Sequence, residues 1–297
     1  MAKSRTKKKT SGAGVSTLVE YISRVTSLRR GTGADIWFRG INDASLAVSP
    51  GLYWRNKNRK VPISEIDLTA HFHAMVPQYV AEDQLPFYKG ALEAPWEWYF
   101  LMQHYGLPTR LIDWTESPLV ALHFALSDWG GKSSAPSTDP CVWVLNPRAL
   151  NEASVQDREI IVPGGQFSQY WLYKMNAAST KRCAPGKPRK FQYAGTGYSN
   201  ALPIAISPPR SNPRIVAQKG VFTVHGADTR GLDEALGISA RSSRSKVQSR
   251  LIKISIDPSA ASEILQDLQS LQFHELALFP ELPSVARRIK ILCDVDL

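Results

Sequence analysis

Gln103-His-Tyr-Gly-Leu-Pro-Thr-Arg-Leu-Ile-Asp-Trp-Thr-Glu-Ser-Pro-Leu-Val-Ala-Leu-His-Phe-Ala-Leu126 is the stretch on which the fold turns. It places His104, Thr109, Arg110 and Asp113 within ten residues, between two segments apolar enough to be buried helices. The first begins at Pro95, a good first-turn residue, and can stop at Gly106 in a left-handed cap. The second has Ser117 as N-cap and Pro118 at its first position, then Leu119, Val120, Leu122, Phe124 and Leu126, and ends by Gly130. The short irregular or extended connection between them must satisfy its own polar groups, because Trp96, Trp98 and Trp114 leave little room for water. Two readings of the cluster follow. Either Arg110 and Asp113 pair with each other and the helix ends while His104 donates to a carbonyl, or the cluster is a ligand site.

Outward from this stretch, composition sets bounds. A chain of 297 residues with 43% hydrophobic content can bury a full core, and one large domain is expected rather than two. No apolar run approaches the roughly 18 residues that cross a bilayer, and no signal-peptide apolar block follows the charged N-terminus. Cys141, Cys183 and Cys293 are odd in number and lack metal-ligand spacing. A cytoplasmic protein with no disulfide framework, no metal and no membrane partner is expected. The oligomeric state stays open.

The net charge of +10 is unevenly spread. Residues 1 to 10 carry five basic side chains, and the tract from Ile160 to Ala227 carries nine with no acidic ones; subtracting both leaves −4 for the rest. A mildly acidic body with one long basic tract hints at a polyanionic ligand, although a solvated loop and a solubilising tail have the same composition.

In chain order, residues 1–14 read as a disordered basic tail. Leu18, Tyr21, Ile22, Val25 and Leu28 recur at helical spacing. Asp35 to Gly40 reads as a buried strand, with Arg39 at its end and Gly40 permitting close backbone approach. Residues 41 to 61 read as a surface loop with the basic run Arg55, Lys57, Arg59 and Lys60. Ser64 opens a helix by a capping-box arrangement. His71 and His73, two apart on that helix, point to different sides and do not suggest a metal site. Strands are expected at Cys141 to Leu145, Val221 to His225 and Leu251 to Ile256, and Asp257 caps a following helix. A short basic helix runs through Arg287, Arg288 and Lys290. Within the basic tract, a turn-rich insertion at about 160–215, Lys181, Arg182, Lys187, Arg189 and Lys190 are interleaved with Tyr173, Phe191 and Tyr193. That composition suits phosphate contacts with base stacking.

Trp37-Phe-Arg-Gly-Ile41, His104 to Thr115, Ala217-Gln-Lys-Gly-Val-Phe222 and Leu278-Phe-Pro-Glu281 together resemble the FRG domain family, named for its Phe-Arg-Gly. The likeness spans nearly everything after the tail. It implies an α+β fold, one mixed domain over residues 15–297 with a small β core flanked by helices, and a bacterial or phage protein linked to genetic conflict or defence. A strand ending in aromatic-Arg-Gly is also similar to the first strand of ADP-ribosyltransferase-type folds, which implies a split sheet and NAD as substrate. On that likeness Arg39 grips pyrophosphate by a bidentate contact that lysine could not reproduce. His104, Thr109 and Arg110 then orient ribose or the second phosphate. Trp37, Phe38, Gly40, Tyr105, Asp113 and Phe222 complete the ligand-binding set. The class uses a glutamate to steady the ribose, whereas the corresponding motif here offers Gln218, so transfer is weak, absent, or served by a carboxylate from Glu275 or Glu281.

Three functions therefore compete. The first is an NAD-consuming ADP-ribosyltransferase or glycohydrolase acting on a macromolecular target or water, with Arg39 and Arg110 converging on one anion-binding hollow. The second is a nucleic-acid-binding protein or metal-independent nuclease with His104 as base and Arg110 as phosphate stabiliser. The third is a non-catalytic interaction module in which the central cluster is structural. No zinc spacing, phosphate-binding Gly-rich loop or dinucleotide fingerprint is present.

Overall fold

A computed structural model of the chain describes residues 14–32, 35–79, 95–129, 138–168, 190–193, 196–199, 201–210, 212–236 and 250–293. Its frame is a six-stranded antiparallel sheet, in the order β6-β7-β2-β1-β3-β8. The strands are β1 (Trp37–Ile41), β2 (Leu111–Thr115), β3 (Cys141–Leu145), β6 (Ile204–Ile206), β7 (Gly220–Val224) and β8 (Leu251–Ser255). β4 (Lys190–Tyr193) and β5 (Thr196–Ser199) form a separate hairpin. The helices that position the site are α1 (Leu18–Thr32), α2 (Gly51–Asn56), α3 (Glu65–Met75), α4 (Pro95–His104) and α5 (Pro118–Leu126). They are followed by α6 (Pro147–Val155), α7 (Pro213–Ala217), α8 (Leu232–Ala235), α9 (Ala261–Ser270), α10 (Glu275–Leu278) and α11 (Leu282–Leu292). This is the α+β architecture expected. None of the helices described is long and apolar enough to cross a membrane.

Strand alternation divides the core. On one face Phe38, Val142, Val144 and Ile254 pack under α1, α5 and α9. On the same face, but over the other half of the sheet, Leu111, Phe222, Val224, Ile204 and Ile206 pack with Trp96 and Tyr99 of α4. Trp37, Ile112, Trp114, Trp143, Leu145 and Val221 fill the opposite face with Val48, Leu150 and Leu232.

The two halves meet at β1 and β2, where pairing fails. β1 is matched to β3 along its whole length, from Trp37 opposite Leu145 to Ile41 opposite Cys141, and β2 to β7 from Leu111 to Thr115. β1 and β2 are registered at a single position, Phe38 opposite Thr115. Beyond it the strands splay, and the Arg39 guanidinium bridges them by donating to the Asp113 carbonyl at 2.7 Å.

Local signals explain the elements around this gap. α4 ends as its sequence indicates: Gly106 sits at φ +77°, the Gly106 amide bonds Gln103 O, and the Leu107 amide bonds Met102 O, a Schellman arrangement. Ser117 caps α5 by accepting from the Val120 amide. α5 carries Val120, Ala121, Leu122, Ala125 and Leu126, all buried. It presses so closely on β1 that a Cβ at Gly40 would lie 1.9 Å from the Ala121 carbonyl oxygen and 2.5 Å from the Ala125 nitrogen. The close approach expected at Gly40 is thus made by a helix.

Four sequence readings need correction. Residues 51–56, expected within a loop, form α2; Asn146-Pro147 caps and opens α6, which was not anticipated; and the strand near residue 221 starts at Gly220. The basic tract is not a solvated loop throughout, because β6 lies within it and is fully buried beside β7. The C-terminal basic helix is present as α11.

Gly40→Ala is expected to destabilise the protein by about 3 kcal/mol or more, since the obstructing atoms are helix backbone that cannot rotate away. Thermal unfolding of Gly40→Ala beside Gly165→Ala, where an added Cβ meets only ordinary contact, checks this. Equal melting temperatures would contradict it.

Candidate functional site

The splay between β1 and β2 opens into a cavity of about 670 Å³. Phe38, Arg39 and Gly40 come to it from β1; Asp113, Trp114 and Thr115 from β2; Phe100, Gln103 and His104 from α4; Phe124 from α5; Trp54 from α2. Arg214 of α7, Gln218 and Phe222 complete its far wall. Aromatic rings form much of the lining, and the formal charges are those of two arginines against one aspartate.

Arg39 is the best placed of these groups. Its side chain keeps 29% exposure, and burial pulls its pKa below the ordinary arginine value while Asp113 opposes the shift. It remains a cation. Of its five donors, one is used by the Asp113 carbonyl, and the nearest carboxylate oxygen, Asp113 Oδ2, lies 4.0 Å away. No other hydrogen bond to Arg39 occurs among the described residues. Arg214 is in a similar state, stacked over Phe279 at 4.5 Å with no carboxylate partner among the described residues. Two guanidinium groups with unused donors thus line one cavity.

Asp113 is oriented by a short relay. The Leu111 amide donates to Thr109 Oγ1 at 3.0 Å, Thr109 Oγ1 donates to Gln103 Oε1 at 2.6 Å, and Gln103 Nε2 donates to Asp113 Oδ2 at 2.7 Å. The relay fixes the Gln103 amide and leaves the Asp113 side chain 58% exposed. His104 stands beside it, with its pKa lowered by burial and by Arg214, against an opposing pull from Glu281. It is therefore a neutral imidazole at pH 7. Gln218 donates from Nε2 to the Leu278 carbonyl at 3.1 Å, which leaves its amide oxygen as an acceptor, and its own carbonyl receives Thr115 Oγ1 at 2.6 Å.

Arg110 does not join them, and the expected convergence of Arg39 and Arg110 is overturned. Arg110 Nε donates to both Glu65 oxygens, at 3.0 and 2.8 Å, and Nη2 also bonds Glu65. Both side chains are buried. Burial is the largest single influence and pulls Arg110 down, but the charge and hydrogen bonds of Glu65 together with Tyr53 and Tyr99 outweigh it and raise the pKa well above the ordinary value. Pairing of Arg110 with Asp113 is overturned too. The same buried network holds Tyr53, whose hydroxyl donates to the His225 and Gly226 carbonyls, and His225, whose Nε2 lies 3.2 Å from Thr223 Oγ1.

The remaining expectations sort by position. Phe38, Gly40, His104, Asp113, Gln218 and Phe222 line the cavity. Trp37 faces away into the opposite core, Thr109 is buried as a relay member, and Tyr105 is exposed with its ring edge-on to His104. Glu275 is engaged by Arg287, whose Nε donates to it at 2.7 Å, and it does not line the cavity. Lys181, Arg182, Lys187 and Arg189 lie outside the described residues, and Lys190 begins β4. Trp54, Phe100, Gln103, Thr115, Phe124 and Arg214 were not anticipated as site residues. Among the described residues no three His, Cys, Asp or Glu side chains gather as metal ligands.

Residues 34–133 match the family model of the FRG domain. The chain carries an FRG domain, and the matched segment supplies β1, β2, α4 and α5, the elements that enclose the splay. No curated protein and no solved structure matches the chain. The two other motifs, around Gln218 and Glu281, lie outside the matched segment, yet the fold brings both to the same wall: Gln218 bonds Leu278, and Phe279 packs edge-on against Phe124 at 5.7 Å.

Two outcomes are expected. Arg110→Ala or Glu65→Ala should each cost about 3–5 kcal/mol, because each strands a buried charge, whereas Glu65→Leu with Arg110→Met should recover much of the loss. Denaturant titration of the three variants decides it, and single variants with unchanged midpoints would contradict the structural role. The second concerns His225, whose pKa is pushed down to about 3 by burial, then by Arg110 and Arg39. Because the folded form keeps this ring neutral, its contribution to stability is complete above an unfolded pKa near 6.5 and declines as pH falls towards 3, by up to about 1.4 kcal/mol per unit. A His225→Gln variant should show a flatter melting profile between pH 7 and 4; an unchanged slope would contradict the assignment.

Proposed function

We propose that this FRG domain binds a dinucleotide of the NAD class in the β1–β2 opening and breaks its nicotinamide–ribose bond, releasing ADP-ribose to water or to a macromolecular acceptor. The observation that carries the reading is the pair Arg39 and Arg214, two cations with unused donors set in an aromatic-lined cavity. A diphosphate answers the donors, and planar rings answer the walls. The volume of about 670 Å³ lies in the usual range of roughly 300–1,000 Å³ for small-molecule sites.

The side chains suit the chemistry. When the bond between ribose C1′ and nicotinamide breaks, the electron pair leaves with nicotinamide and positive charge develops on the sugar. The exposed carboxylate of Asp113 provides a fixed negative charge, the role for which Gln218 is unsuited. Gln218 can accept from a ribose hydroxyl. The acceptor oxygen attacks C1′ and gives its proton to neutral His104. Consumption of NAD also accords with the conflict or defence role that the family resemblance implies.

Nicotinamide release from NAD by the whole chain tests this. Arg39→Ala should weaken binding by about ten- to a hundredfold, and Arg39→Lys should not restore it, since lysine lacks the fork. Asp113→Asn should lower turnover about a hundredfold with little change in binding. The acid limb of kcat/KM should fall below pH 6.5, with activity rising as His104 loses its proton. Intact NAD after prolonged incubation, together with no measurable NAD or ADP-ribose binding, would overturn the proposal.

A further inference from the structure

We infer that Trp54 and the basic run from Arg55 to Lys60 form a platform for single-stranded nucleic acid at the mouth of the cavity. The inference goes beyond the NAD reading and does not depend on it. Trp54 lines the cavity yet leaves 57% of its surface exposed. An indole is among the largest apolar groups a chain can bury, and this one is instead presented to the solvent side of an opening that is otherwise walled by aromatic rings. The Arg55 guanidinium lies over it at 4.2 Å from the ring centroid. A flat cation on a flat ring at the rim is the arrangement on which a nucleobase stacks.

The charge around it points the same way. Arg55, Lys57, Arg59 and Lys60 are all exposed, and no acidic residue occurs between Asp43 and Glu65. None of the four forms a salt bridge among the described residues. Arg55 Nη1 donates to the Gly51 carbonyl at 3.3 Å and Arg59 Nε to the Val61 carbonyl at 3.1 Å, contacts that place the two side chains without neutralising them. Glu65, the nearest acid downstream, is buried against Arg110. Four uncompensated cations beside a stacking surface fit a chain that carries both phosphates and exposed bases. A duplex hides its base faces, and a lipid surface offers none, so the indole argues for a single strand.

The test is binding of fluorescein-labelled single-stranded dA and rA 12-mers to the full chain, with a duplex of equal length, heparin and phosphatidylserine vesicles as parallel arms. Trp54→Ala should weaken single-strand binding about tenfold or more and leave duplex and heparin binding nearly unchanged. Replacing Lys57, Arg59 and Lys60 together with Gln should reduce the slope of log affinity against log salt by about 2. The basic tail and tract are present in every variant, so these differences report the platform alone. Single-strand affinity that survives Trp54→Ala would overturn the inference, as would equal losses in the single-strand, duplex and heparin arms or an unchanged salt slope. Binding of vesicles in preference to both single strands would overturn it as well. The dA and rA arms decide between DNA and RNA.

Discussion

The structure depends on the failure of β1 and β2 to zip. Two strands that share one register position and then part leave the centre of a sheet open, and main-chain groups in such an opening need partners. Arg39 answers that need from β1 by donating to the Asp113 carbonyl of β2. Gly40, immediately after it, lets α5 lie directly on the strand. The Phe-Arg-Gly triplet therefore has three separate jobs on one strand: Phe38 enters the core, Arg39 spans the opening, and Gly40 seats the helix. Alternation along the strand sends Arg39 to the side opposite its neighbours, so the opening is lined from both faces of the sheet.

Two arginines show how environment decides role. Arg110 is buried, bonded twice through Nε to one carboxylate and enclosed by Tyr53 and His225, away from the cavity lining. Arg39 is desolvated enough to lower its pKa, yet its closest carboxylate is 4.0 Å away and largely exposed. A cation partly stripped of water and poorly compensated gains from an incoming anion, whereas a fully paired one does not. Arg214, stacked on Phe279, supplies the second charge that Arg110 does not.

Much of the fold was legible because its signals are local. Ser117-Pro118, Gly106 and Asp257 mark caps within a few residues of the elements they end or begin, and Cys141 to Leu145 is a short apolar run bounded by Pro140 and Asn146-Pro147. β6 was not, since the three residues Ile204–Ile206 are too few to show a period. The site was legible in part for the same reason. Arg39, His104 and Asp113 sit in recognisable strings, but the partner of Arg110 lies 45 residues upstream, and Arg214 reaches the cavity only because α7 precedes a strand that pairs with β2. Such pairings are set by topology. Trp54 escaped notice because a surface loop was expected where a helix turns the ring towards the opening.

The most direct measurement is a crystal structure of the full chain soaked with ADP-ribose. The account requires the diphosphate within hydrogen-bonding distance of both Arg39 and Arg214, with a ribose beside Asp113. Density for the ligand elsewhere on the molecule, or a diphosphate contacting neither guanidinium, would contradict it.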